Sequence, residues 1–146
     1  MKDYMSIAIN EAHKSLKHND VPVGCVIVKD NKIIAKAYNE REKKQKITKH
    51  AEVIAIEKAS KKLKTWHLND CTLYTTLSPC FMCTSIILQS RIKKVIYAAE
   101  GEQFEQINKY LSLIDKNYKN TLFEKGLHED EYVKILRKFF EDKRKK

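Results

Sequence analysis

The chain has 146 residues, a mass of 17.1 kDa and a formal net charge of +10. Its 42% apolar and 9% aromatic content excludes a disordered chain, and three glycines with two prolines exclude collagen-like and linker architectures. The charge points to a polyanionic partner, yet only Arg41, Arg91, Arg137 and Arg144 are arginines, so lysine-rich codon usage is the bland alternative.

A single domain over residues 1–146 is the expectation for this length. No run approaches the roughly 20 apolar residues of a membrane span. The N-terminus carries Asp3 and lacks an apolar signal region, so the sequence reads as cytoplasmic, with no membrane partner. In a reducing compartment Cys25, Cys71, Cys80 and Cys83 favour metal or catalytic use over disulfides.

Tyr4, Ile7, Ala8, Ala12 and Leu16 recur at helical spacing and predict an amphipathic helix ending near Asn19-Asp20. Two β-branched runs follow, Val21 to Val28 and Lys32 to Asn39, with Lys29-Asp30-Asn31 as a hairpin turn. Glu40 to Lys49 reads as a polar loop, and Thr48 is the expected cap of a helix starting at His50-Ala51-Glu52. Ala51, Ile54, Ala55, Ala59 and Leu63 form that helix's apolar stripe.

Cys71 to Thr76 is the third predicted strand. Ser78-Pro79 then reads as N-cap and first helical residue of a helix running to about Gln89. Lys93 to Ala99 is a fourth strand, Phe104 to Leu113 a helix and Asn120 to Phe123 a short fifth strand. A basic terminal helix occupies about 129–146, with Tyr132, Ile135, Leu136 and Phe139 on its buried side. The order implies an α/β fold, a sheet sandwiched by helices, with parallel pairing at the joins before strands three and four.

The chemistry lies in His50-Ala51-Glu52 and Pro79-Cys80-Phe81-Met82-Cys83. Cys80 and Cys83, three apart at a helix start, share one face and can reach one ion. The positive end of the helix beside them favours the thiolate. His50 can supply a third ligand, and two thiolates with one imidazole leave the open position of a catalytic zinc site. Glu52 points away from His50 and can serve water as a proton acceptor without ligating the metal. The alternative is a closed structural site using Cys25, Cys71 or His67 as fourth ligand, which leaves Glu52 without a role. Otherwise Cys25 and Cys71 read as core residues, His13, His18, His67 and His128 as surface or capping residues, and Trp66 as a packing residue.

H-x-E followed by P-C-x-x-C is the signature of zinc-dependent base deaminases. The chain resembles the cytidine-deaminase-like superfamily and, within it, the bacterial tRNA-specific adenosine deaminases. Val21-Pro22-Val23-Gly24, Tyr38-Asn39, Leu73 to Leu77, Ser90-Arg91-Ile92 and Phe139-Phe140 before the basic tail extend the likeness over nearly the whole chain. The resemblance implies a three-layer α-β-α sandwich with a five-stranded mixed sheet, and one Zn2+ per subunit held by His50, Cys80 and Cys83. It implies Glu52 as proton shuttle, Asn39 as a ligand of the base, and Val23, Gly24, Leu77 and Ala51 around the pocket. It also implies a homodimer acting on the anticodon loop of tRNA, where wobble adenosine becomes inosine.

Lys43, Lys44 and Lys46, in the loop before His50, are candidate phosphate contacts. So are Lys143, Arg144, Lys145 and Lys146, because residues 134–146 hold seven basic residues against two acids. Three places depart from the family pattern: Ser78, where the family has Glu, Lys46-Ile47-Thr48, and Ala99 to Phe104. They leave two rival readings, a deaminase of a free base, nucleoside or nucleotide such as cytosine, deoxycytidylate or guanine, and a non-catalytic zinc-containing RNA-binding domain.

Overall fold

The structure is a computed structural model that describes residues 2–114 and 121–145. Helix α1 (Tyr4–Ser15) leads through a 3-10 turn (Leu16–His18) into strands β1 (Gly24–Lys29) and β2 (Lys32–Tyr38). Asp30 and Asn31 both take positive φ, 50° and 61°, which suits the two-residue turn between strands that twist right-handedly. A four-residue helix, α2 (Arg41–Lys44), stands inside the expected loop, where Asp20 accepts the N–H groups of Glu42 and Lys43. Then come α3 (Ala51–Leu63), β3 (Thr72–Leu77), α4 (Phe81–Gln89), β4 (Lys94–Ala99), α5 (Phe104–Leu113), β5 (Leu122–Lys125) and α6 (Glu129–Arg144).

The five strands form one mixed sheet in the order β2-β1-β3-β4-β5. β3, β4 and β5 are parallel, whereas β1 is antiparallel to both β2 and β3. Parallel pairing was expected at both helical joins, and only the β3–α4–β4 join has it. β2 and β3 do run the same way, but β1 lies between them and removes their direct pairing. The fifth strand's expected start at Asn120 lies outside the described residues, and the observed strand continues past Phe123 to Lys125.

Both faces of the sheet are covered. Cys25, Ile27, Leu73 and Val95 face Ala51, Ile54, Ala55, Ala59 and Ile87 from α3 and α4. Val26 and Val28 face Met5, Ala8, Ile9, Ala12 and Tyr132 from α1 and α6. Strict alternation along β1 therefore feeds two cores at once, the mark of a central strand. Gly24 opens β1 where α1 crosses it, and a Cβ there would lie 1.8 Å from the Ala8 carbonyl oxygen. Cys25 and Cys71 are buried in the core as read from the sequence. Trp66 is not: it is 57% exposed, stacked on His67 at 3.8 Å with Arg91 over its ring.

Two expected helix starts are displaced. His50, not Thr48, is the N-cap of α3, and Cys80, not Ser78, is the N-cap of α4. The hydroxyl of Ser78 is occupied elsewhere, accepting the N–H of Gly101 at 2.7 Å. His128 caps α6 in the left-handed region, and its ring meets Asp3, the N-cap of α1.

Candidate active site

The β2 end, the starts of α3 and α4, and the turn after β4 meet at one edge of the sheet. His50 leaves the start of α3 while Cys80 and Cys83 leave the first turn of α4. His50 Nδ1 lies 3.7 Å from Cys80 Sγ and 3.5 Å from Cys83 Sγ. Tetrahedral zinc with bonds of about 2.0 Å to nitrogen and 2.3 Å to sulfur separates such a pair by about 3.6 Å. Among the described residues these three make up the one group of His, Cys, Asp and Glu side chains close enough to share a metal ion. His67, Cys25 and Cys71 lie outside it, so none of the described residues closes the site as a fourth ligand.

Glu52 is buried in the first turn of α3, and its Oε1 has no hydrogen-bond partner. A buried carboxylate oxygen without a protein partner is costly unless something else occupies that place. Water at the open metal position is the natural occupant, and the donor set thus fits a catalytic Zn2+. Burial pushes the Glu52 carboxyl up to about 7, and the negative charge of Cys80 adds to the rise. The Cys80 thiol is lowered to about 4 by the Cys83 thiol and, against its burial, by the His50 ring. The Cys83 thiol moves up because it bonds the Cys80 sulfur and is itself buried. Two sulfurs this close ionise together only with a cation between them. The His50 ring is raised, first through its bond with Cys80.

A cavity of about 460 Å³ opens beside this group, and Val23, Asn39, Leu77 and Glu52 are among its lining residues. Gly24 and Ala51 are not in its lining. Gly24 packs under α1, and Ala51 is buried with its N–H on Asn39 Oδ1 at 2.7 Å. The Asn39 amide also donates to the Val21 carbonyl at 3.1 Å, which fixes which end of the carboxamide is oxygen.

Other lining residues were not named as site residues from the sequence. Arg41 enters from α2, Glu100 to Gln103 from the turn after β4, and Leu136 and Phe140 from α6. Strand order and the path of α6 bring them there, and no local spacing signals it. Lys43 pairs with Glu40, and Lys43, Lys44 and Lys46 are exposed outside the cavity lining. Lys143, Arg144 and Arg137 line a groove with Glu141, Glu102, Leu136 and Phe140 that adjoins the cavity through the last three. Lys145 is exposed, and Lys146 lies outside the described residues. No described helix is long and apolar enough to cross a membrane.

Residues 1–99 match the cytidine and deoxycytidylate deaminase zinc-binding region. The tRNA-specific adenosine deaminase of Bacillus subtilis (strain 168) is 39% identical over 145 residues, 98% of this chain and 90% of that one. That of Streptococcus pyogenes is 37% identical over 98% of this chain and 85% of its own length. A solved structure from work on A-to-I editing by deaminases at the wobble position of transfer RNA superposes with a TM-score of 0.82. It is 30% identical and covers 91% of this chain and 98% of its own. Guanine deaminase from Bacillus subtilis gives a TM-score of 0.66, at 39% identity over 73% of this chain and 70% of its own. The chain belongs to the cytidine and deoxycytidylate deaminase zinc-binding family, among the relatives of the tRNA-specific adenosine deaminases.

Proposed function

We propose that the protein hydrolytically deaminates adenosine to inosine at the wobble position of tRNA, as a homodimer with one Zn2+ per subunit. The observation that carries the chemistry is the buried, unpartnered Glu52 oxygen beside His50, Cys80 and Cys83. Adenosine within tRNA follows from the curated relatives, with which the chain aligns over 98% of its length.

His50, Cys80 and Cys83 would hold the metal, which when bound supplies a Lewis acid that acidifies water. Glu52 takes a proton from the attacking water and hands it to the purine ring nitrogen, making C6 electrophilic. Oxygen adds to C6, Glu52 carries the second proton to the amino group, and the C6–N bond breaks. Water and adenosine are consumed, inosine and ammonia leave, and Glu52 ends as it began. Burial raises the Glu52 carboxyl from its ordinary value, the direction that suits a group which must both take and give a proton. Val23 and Leu77 wall the base, and the spare N–H of Asn39 meets an acceptor on it. Lys143 and Arg144 extend the site toward phosphates. The outer side of α4, where Phe81 is 45% exposed beside half-buried Met82, is the surface we assign to the second subunit.

The test is treatment of unmodified tRNA with the protein, sequenced for adenosine-to-inosine change at the wobble position. A parallel panel measures ammonia from free adenosine, cytosine, deoxycytidylate and guanine. Conversion of tRNA is the expected result. Turnover of small molecules alone overturns the substrate assignment, and RNA binding without any turnover overturns the enzyme.

A further inference from the structure

Both helices that carry the metal ligands begin in the same unusual way. The N-cap of α3 is His50 and the N-cap of α4 is Cys80, so each cap residue is itself a proposed ligand. Neither side chain makes a capping hydrogen bond of its own, although the Cys83 N–H reaches the Cys80 sulfur. Ordinarily an N-cap side chain satisfies the free N–H groups of the first turn. Here a side-chain amide from another element does so. Asn39 Oδ1, from the end of β2, accepts the N–H of Ala51 at 2.7 Å. Gln103 Oε1, from the turn after β4, accepts the N–H of Phe81 at 3.0 Å.

The other face of each peptide is held as well. The His50 carbonyl accepts from Ile54 N–H at 3.0 Å, and the Cys80 carbonyl accepts from Thr84 N–H at 2.8 Å. The peptide that follows each ligand residue is thus clamped at both its oxygen and its nitrogen. Rotation about ψ of His50 and of Cys80 is what that clamp resists, and ψ sets where their Cβ atoms point.

We propose that Asn39 and Gln103 are a matched pair of positioning residues that preorganise the metal ligands. The inference rests on the reading of His50, Cys80 and Cys83 as the ligand set. It gives the turn at Glu100–Gln103 a role. Ser78 Oγ accepts Gly101 N–H at 2.7 Å and Ser78 N–H donates to Ala99 at 2.8 Å, stitching that turn to the approach of α4. The cavity lining beyond β4 and the metal-bearing helix then move as one piece.

Gln103 is exposed, so its substitution leaves the fold intact and makes the cleaner test. Full-length Gln103→Ala, Gln103→Glu and wild type are compared in zinc affinity, by competition with a chromogenic chelator, and in the visible spectrum of the Co2+-substituted protein. Loss of a partner that orients a ligand costs about 10–100-fold in metal affinity elsewhere. We expect about a tenfold loss and a shifted cobalt band for Gln103→Ala, with Gln103→Glu regaining most of the affinity through its acceptor oxygen. Asn39→Ala is expected to show the same two changes. Unchanged affinity and spectrum in Gln103→Ala, with only a lower melting temperature, would mean an ordinary helix cap and overturn the proposal. A Cys80→Ser variant that keeps wild-type zinc affinity would instead overturn the ligand reading, and the positioning role with it.

Discussion

The hydroxyl of Tyr132 donates a 2.6 Å hydrogen bond to the carbonyl of Pro22, joining positions 110 residues apart. Tyr132 is fully buried on α6, and Pro22 immediately precedes Val23 of the cavity wall. One bond thus ties the helix that closes the cavity to the segment before β1 that walls it. Burial raises the Tyr132 phenol well above its ordinary value, so it stays a donor at all working pH values. Tyr132→Phe leaves a buried carbonyl unsatisfied and should cost about 1–3 kcal/mol in urea unfolding. No loss of stability would show that the bond is solvent-replaced.

Gly24→Ala tests the crossing of α1 over β1. The added methyl would meet backbone at 1.8 Å and 2.6 Å, from Ala8 and Ala12, and neither atom can swing aside as a side chain does. Overpacking costs about 1–3 kcal/mol where side chains can yield. Here the expected cost is at the top of that range or beyond it, seen as loss of soluble protein or a lower urea midpoint. A variant as stable as wild type would mean that α1 shifts freely.

Glu52→Gln keeps the shape of the side chain and removes the proton acceptor. General acid–base groups contribute about 10²–10⁴-fold, so kcat should fall by that factor while zinc content stays the same. Activity within tenfold of wild type would remove Glu52 from the mechanism.

The same substitution predicts a pH effect in chelator-stripped protein. Burial raises the Glu52 carboxyl from 4.5 to about 7, so the folded state binds more protons than the unfolded state between those values. The contribution of Glu52 to stability therefore falls as pH rises through that window and levels off above it, while Cys80, lowered to about 4, contributes in the opposite sense. The Glu52 shift corresponds to about 3 kcal/mol. Relative to wild type, Glu52→Gln should make the slope of stability against pH more positive and stabilise the stripped protein at pH 8, as denaturant titration at several pH values would reveal. An unchanged slope would place its origin in other groups.

Metal binds the folded chain in preference to the unfolded one, so its removal should lower stability. Ligand at about 1,000 times its dissociation constant contributes about 4 kcal/mol. Calorimetry before and after chelation should show that loss. In Cys83→Ser, chelation should barely change the melting temperature.

Neutralising Lys143, Arg144 and Lys145 to Ala tests the basic end of α6. Each lost phosphate contact should flatten the plot of log affinity for tRNA against log salt by about 1. Turnover of a small nucleoside, if any, should not change. A salt slope identical to wild type would move the RNA path elsewhere.

The proposed Cys80–Cys83 pair and the His50–Glu52 pair were each readable in the linear sequence because each rests on local geometry, although only packing brings α3 and α4 together. The three-residue step from Cys80 to Cys83 puts both on one helical face, and the two-residue step from His50 separates Glu52 from it. The hydrophobic periodicity likewise marked the strands and long helices. The caps misled: Ser78 and Thr48 have the right chemistry, but Ser78 bonds across the sheet edge to Gly101, and the helices start two residues later. The insertion of β1 between β2 and β3 had no local sign, because strand order follows from which faces can be buried together. That order brings Asn39 against Ala51 and Gln103 against Phe81, and sends Leu136 and Phe140 over the cavity. The sequence by itself determined the residue types of the proposed chemistry and the Cys80–Cys83 spacing, since that spacing is a property of one helix turn. Only the tertiary structure decided what surrounds and steadies that chemistry, because those contacts join segments whose proximity is settled by packing and not by distance along the chain.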